Sequence, residues 1–257
     1  MDRPEREWPG IVNGIHGFDD LPVFPRALSL LAHASRQYQP ITADRIREKA
    51  RLKLEGSPAA ANMPETVERM AEFEQRFGGL RSTILREREN GMEYGLAGDY
   101  TIIQTGFGPA FRGILDGPQT WPLYVLHDGR TLMRLRSPIP DRVIDSSVIQ
   151  RIESDALLAM AGRWAHHRYT FTVASGAEPA VDTGAFPPAV PEATGPAKRW
   201  WFDGDRAVFL RLRSWWTRSS GTNGIWHIAR LIAEPGRWSA KPGIPTTRSA
   251  CSPARTC

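Results

Sequence analysis

Between Met63 and Phe77 the apolar residues Val67, Met70, Phe73 and Phe77 recur at helical spacing, with Glu65, Glu68, Glu72 and Gln75 on the opposite side. That period belongs to an amphipathic α-helix with one face in a core. Pro64 suits the first turn, where its missing N–H costs nothing, and Gly78 suits the left-handed residue that closes a helix. A second helix is expected from Thr42 to Leu54, with Ile46, Ala50 and Leu54 on one stripe and Gly56-Ser57-Pro58 as its break. A third starts near Ser146 or Ser147. Ser147 and Gln150 have the spacing of a capping box, and Ile149, Ile152, Ala156 and Met160 form its stripe.

The stretches between these helices change period. Arg81–Arg86, Met92–Leu96 and Tyr100–Gln104 read as short strands separated by the turn signals Asn90-Gly91 and Gly98-Asp99. Trp121–His127 and Arg130–Leu135 read as a hairpin about Asp128-Gly129, with a two-residue turn expected. Val143 and Ile144 lead into the third helix, and Tyr169–Val173 is one more strand. The implied fold class is α+β: a mostly antiparallel central sheet flanked by helices, followed by a basic, Trp-rich β extension.

The extension is marked by composition. From Lys198 onward there are 11 Lys and Arg against 3 Asp and Glu, while the preceding 197 residues carry 22 basic and 25 acidic residues, so the overall charge of +5 hides an asymmetry. Six of the nine tryptophans also lie there. Val208, Leu210 and Leu212 alternate with Phe209, Arg211 and Arg213, the signature of a half-buried strand. Ile225–Ala233 is its expected partner, although Ile225, Ile228 and Ile232 also suit a helix. The organisation predicted is an irregular N-terminal arm over 1–40, with a short helix from Pro25 through Arg36, and an α+β core domain over 41–174. A Pro/Ala/Gly-rich linker over 175–197 then leads to the β-rich extension over 198–236 and a disordered basic tail over 237–257.

No motif for catalysis, cofactor or metal is visible. The six histidines form no His-Glu-x-x-His pair, and the adjacent His166 and His167 point in different directions on any regular element. Gly106-Phe107-Gly108-Pro109-Ala110-Phe111 begins like a dinucleotide loop, but Phe111 replaces the third glycine and Pro109 removes an N–H. Gly106–Gly113 therefore reads as a turn-rich connection. There is no Gly-x-Ser-x-Gly elbow, and acidic pairs such as Asp19-Asp20 and Asp203/Asp205 carry no geometry by themselves. The two cysteines, Cys251 and Cys257, staple nothing large, and a charged start without an apolar segment lacks the look of a signal peptide. With no run of about 20 apolar residues, no membrane partner is expected and a cytoplasmic location is.

Residues 41–160 resemble the SUKH family, best known from bacterial immunity proteins. The resemblance rests on Ile41-Thr42-Ala43-Asp44-Arg45-Ile46, on Phe73-Glu74-Gln75-Arg76-Phe77-Gly78-Gly79-Leu80, on the short strands after them, and on the helix from Val148 to Leu158. It departs from the family where Leu80 is followed by Arg81 rather than Pro, and in its basic C-terminal part. The resemblance implies an α+β domain that binds a partner protein, such as a toxin, and catalyses nothing.

Two binding modes follow. In the first, Tyr94, Trp121 and Tyr124 are candidate anchors for a partner protein, against the plainer reading of strand residues buried beneath helices. In the second, Arg211, Arg213, Arg218 and Arg230 contact nucleic-acid phosphates while Trp215, Trp216 and Trp226 stack on bases. There the plainer reading is solvated arginines and core tryptophans. An enzyme with an unrecognised site is the third class.

Overall fold

The structure, a computed structural model, describes residues 23–32, 35–36, 41–54, 64–84, 92–96, 101–114, 123–134, 140–164, 167–175, 178, 180–218 and 221–232. The expectations for 1–22 and 237–257, for Trp121 and for His166 lie outside these residues. In chain order the elements are α1 (Pro25–Ala32), β1 (Ser35–Arg36), α2 (Ala43–Leu54), α3 (Pro64–Phe77), β2 (Leu80–Ile84) and β3 (Met92–Leu96). A meander follows: β4 (Ile102–Thr105), β5 (Gly108–Ile114), β6 (Leu123–Leu126), β7 (Thr131–Met133) and β8 (Arg142–Asp145). Then come α4 (Val148–Trp164), β9 (His167–Ser175), a 3-10 turn at Pro191–Ala193, β10 (Lys198–Phe202), β11 (Arg206–Arg218) and β12 (Gly221–Ile232).

Among the described residues every strand pair is antiparallel. Three sheets result, ordered β1-β2-β3, β4-β5-β6-β7-β8 and β10-β11-β12-β9. The fold is α+β, with the basic C-terminal strands forming most of the last sheet.

The helices gather on one face of the five-stranded sheet. Ile46 and Ala50 of α2 meet Met70 and Phe73 of α3 in a core that includes Phe111 and Val125 of the sheet. Phe73 lies 5.4 Å from Phe111 and 5.5 Å from Phe77, ring centre to ring centre. At the rim, the Arg47 guanidinium forks onto both carboxylate oxygens of Glu68 at 2.7 Å, an exposed pair that water and salt screen.

Several elements depart from the sequence reading. The segment Gly106–Gly113 is a tight turn followed by β5, an inner strand of the meander. Its glycines hid it, yet Gly113 is there for space: a Cβ would sit 2.7 Å from Val125 and 3.2 Å from the Phe73 ring. The Asp128-Gly129 hairpin turns through three residues, because Leu126 N–H donates to Arg130 O and Gly129 N–H donates to Leu126 O. Gly129 takes the left-handed conformation this needs, at φ 87°. The first helix stops at Ala32, and Ser35–Arg36 pairs with β2 instead of continuing it.

The stretch read as a linker is folded against its neighbours. Val190 N–H donates to Trp200 O, Phe202 N–H donates to Pro188 O, and Ala193 is fully buried against α4. Backbone hydrogen bonds are joined by a few apolar contacts: Val190 lies in the cluster of Trp200, and the Phe186 ring meets Trp201 edge-on at 5.1 Å. β9, before this stretch, pairs along its length with β12, after it, so the basic strands share a sheet with the region preceding them. β11 is also buried on both faces rather than one. Val208, Leu210 and Leu212 pack toward Leu123 and Ile144, while Ala207 and Phe209 pack beneath α4.

Gly113→Ala is expected to cost roughly 1–3 kcal/mol of unfolding free energy through overpacking. Gly106→Ala, with open space around it, should stay within about 0.5 kcal/mol of the parent. Urea denaturation of the two variants compares them directly.

Candidate functional site

α4 concentrates the buried polar chemistry. Its N-terminus is capped as the sequence suggests: Ser147 Oγ accepts the Gln150 N–H at 3.0 Å. The return arm reaches one residue further back, with Gln150 Oε1 accepting from Ser146 N–H at 3.2 Å, and Gln150 Nε2 donates to Ala193 O at 2.8 Å. One turn along, Ser154 Oγ accepts the indole N–H of fully buried Trp200 at 2.9 Å. Trp200 stacks on Phe209 at 4.2 Å.

Asp145, at the end of β8 and 0% exposed, is the centre of an ionic cluster. Lys198 Nζ of β10 lies 2.6 Å from Oδ1, Arg151 of α4 lies 3.2 Å from Oδ2, and Thr131 Oγ1 of β7 donates to Oδ2. Burial alone would push this carboxyl up. Lys198 and Arg151, helped by the hydrogen bonds, outweigh that and hold it below the usual carboxylate range. Asp155, 3.7 Å from Arg151 Nε, goes the other way: burial raises it, and the attraction of Arg151 and Lys198 only partly offsets the rise. A carboxylate that is sealed from solvent and engaged by three donors serves as an anchor joining two sheets and a helix; a bound substrate could not reach it.

A second buried acid, Glu153, ties α1 to α4. It accepts the Phe24 N–H and pairs with Arg26 Nε at 3.1 Å, and Arg26 also pairs with Glu192 of the 3-10 turn. Burial raises the Glu153 carboxyl, and the Phe24 N–H and Arg26 oppose it.

Exposed chemistry collects where two turns of the five-stranded sheet meet. The β4–β5 turn places Phe107 at its tip, 42% exposed. Thr105 Oγ1 accepts the Phe107 N–H at 3.1 Å and donates to Gly108 O at 2.6 Å, which locks the turn. Gly108, at φ 107°, brings the strand so close to His127 of the next turn that a Cβ would lie 2.9 Å from its ring. From that second turn the Arg130 guanidinium sits 6.0 Å from the Phe107 ring centre, steadied by Asp128 at 2.7 Å. Arg69 of α3 donates to His127 O at 3.1 Å and pairs with Glu72, which fixes the helix to the same corner. An aromatic ring and arginines held in place on rigid turns are the groups that carry binding energy in protein interfaces.

The sequence candidates are distributed differently. Tyr124 of β6 is only 9% exposed, in a cluster with Ala110, Leu126 and Leu132, so it serves the sheet rather than a partner. Tyr94 stands on β3 opposite Ser82. Trp226 is 4% exposed and packs with Leu212 and Ile228, which removes it from any base-stacking role. Arg211 lies over Phe209 at 5.5 Å, on the α4 side of the sheet near Asp155, rather than on an outer face. Arg213 is the extra residue of a β-bulge between Leu212 and Ser214; Trp215, Trp216 and Arg218 follow it on β11, and Arg230 pairs with Val208 and Tyr169. Phe107 was missed because its glycine neighbours read only as a turn. An aromatic between two glycines at a hairpin tip was the available signal.

Comparison with protein-family models, with curated proteins and with solved structures found no match. Among the described residues no group of three His, Cys, Asp or Glu is placed to hold a metal ion, and no helix is long and apolar enough to cross a membrane.

Asp145→Asn is expected to cost about 3 kcal/mol at pH 7, because Lys198 and Arg151 are left buried without their anion. The Asp145 carboxyl is depressed in the folded protein. Its contribution is therefore complete above the unfolded value near pH 4 and is lost as pH falls through the folded value, so parent and variant should converge as the pH drops further. Asp155 is raised, so its contribution is present below the unfolded value and fades as pH rises through the folded one. Asp155→Asn should accordingly be as stable as the parent, or more stable, at pH 7. Chemical denaturation across pH checks both signs.

Proposed function

We propose that this chain is a binding protein that neutralises another protein by direct contact, in the manner of an immunity protein covering a bacterial toxin. It would act in the cytoplasm and catalyse no reaction of its own. The observation that carries the reading is the corner where Phe107 stands exposed on a locked turn beside Arg130. Such a ring loses little entropy on binding, since Thr105 and the meeting of the two turns already hold it in place. The partner surface it fits is an apolar pocket for Phe107 rimmed by acidic or carbonyl acceptors for Arg130 and Arg69. The SUKH-like order of helices and strands over 41–160 supports a toxin as the class of partner. The internal pairing of Asp145, Glu153 and Ser154 supports a scaffold role for the buried polar groups.

A second reading, nucleic-acid binding, is favoured by the far end of the β11–β12 hairpin. Its last three pairs, Trp216 with Asn223, Thr217 with Thr222 and Arg218 with Gly221, run past the pairing of both β10 and β9 as a two-stranded ribbon. A ribbon carrying arginine and tryptophan suits a nucleic-acid groove or single strand.

Co-expression with a toxin, taken from any toxin-like gene encoded beside this one, should relieve toxicity and yield a complex in pull-down. Phe107→Ala should weaken that complex by about 30-fold, some 2 kcal/mol, without lowering the melting temperature. Unrelieved toxicity, or a complex indifferent to both Phe107→Ala and Arg130→Ala, would count against the proposed surface. For the second reading, affinity for single-stranded DNA should fall steeply between 50 and 200 mM salt, roughly tenfold or more, and a flat response would discard it.

A further inference from the structure

The four-stranded sheet ends differently on its two sides. Beyond β10 the chain covers the edge: Ala189 bridges Trp201, and Val190 and Phe202 exchange backbone hydrogen bonds with the strand and the stretch beside it. On the other side the sheet ends at β9, which pairs with β12 at all nine positions from His167 to Ser175 without a register shift. No described strand lies along its outer edge.

An outer strand offers a row of backbone N–H and C=O groups to any chain that can pair with them, and proteins usually blunt such strands with proline, bulges, charge or brevity. β9 has no proline and no bulge, and its charged position, Arg168, is next to one end. It runs for roughly 30 Å at 3.4 Å per residue.

The sequence of β9, His-Arg-Tyr-Thr-Phe-Thr-Val-Ala-Ser, is complementary to itself when reversed about Phe171. Antiparallel pairing of two copies about that residue would set Phe171 against Phe171, Thr170 against Thr172 and Tyr169 against Val173. Those are the aromatic–aromatic, Thr–Thr and aromatic–β-branched pairs that stabilise antiparallel ladders. The same register sets Arg168 against Ala174 and His167 against Ser175. The two Arg168 residues then stand roughly 20 Å apart, beyond the screening length at physiological salt.

From this match of outer edge and self-complementary sequence we propose that β9 is a dimerisation strand, pairing with β9 of a second copy so that two four-stranded sheets become one of eight strands. The two-fold axis passes by Phe171, as an isologous interface requires. Pairing along one strand buries a modest area, so the dimer forms at tens of micromolar and dissociates on dilution.

Sedimentation velocity of the full chain from about 1 to 100 µM should move from monomer toward dimer. Thr170→Lys/Thr172→Lys and Thr170→Glu/Thr172→Glu each place like charges opposite one another. Each alone should self-associate at least tenfold more weakly, and an equimolar mixture should dimerise again. Circular dichroism confirms that both variants are folded. If either is not, hydrogen exchange of the parent decides: the alternate amides of 167–175 that face away from β12 should gain protection between 1 and 100 µM. A parent that stays monomeric to 100 µM, like-charged variants that dimerise as the parent does, or β9 amides whose exchange ignores concentration would each overturn the proposal.

Discussion

A helix covered on every side has no room for an unpaired polar group, and α4 is such a helix. α1, the 3-10 turn, β8 and β12 all press on it, yet its first two turns carry Gln150, Arg151, Glu153 and Ser154. Each of these must be matched from a different element, because leaving one buried and unmatched costs more than the bond itself returns. Ala193, Asp145, Arg26 and Trp200 supply the matches. The polar groups on α4 therefore dictate where its neighbours sit, and the apolar clusters fill the space between them.

Asp145 extends this logic beyond the helix. It draws together β7 through Thr131, α4 through Arg151 and β10 through Lys198, so the five-stranded and four-stranded sheets share one buried anion. Hydrophobic burial is non-directional and would tolerate several ways of stacking two sheets. A carboxylate that needs three particular donors is more selective.

Local pattern was legible wherever local energy decides. The helix at 63–77, the strand Met92–Leu96 and the Ser147 cap all follow from spacing and capping chemistry within a few residues, although the left-handed residue after the helix is Gly79, at φ 75°, rather than Gly78. What escaped depends on distant partners. β5 looked like a connection because Gly113 exists to admit Phe73, a residue 40 positions away. The fold of 180–197 rests on backbone hydrogen bonds to β10 and on the contacts of Phe186 and Val190 with its tryptophans, which composition does not record. Thr131, Asp145, Arg151 and Lys198 are ordinary residues in sequence, and only the sheet-on-helix arrangement brings them together. Phe107 is silent in the sequence for a simpler reason: a phenylalanine between two glycines has the pattern of a turn, and its exposure is set only when Thr105 closes the β4–β5 hairpin around it.

The pairing of β9 with β12 also bears on how the chain reaches its final form. The meander β4 to β8 joins strands that are neighbours in sequence, whereas Ser175 must find Gly224 across almost fifty residues. Long-range closures are slow because chain entropy is lost before contacts repay it. During synthesis from the N-terminus, β8 and α4 therefore emerge well before the strand that brings Lys198. Until that strand arrives Asp145 has only half its cationic escort, so the nascent domain stays open at this junction and closes when the C-terminal hairpin docks.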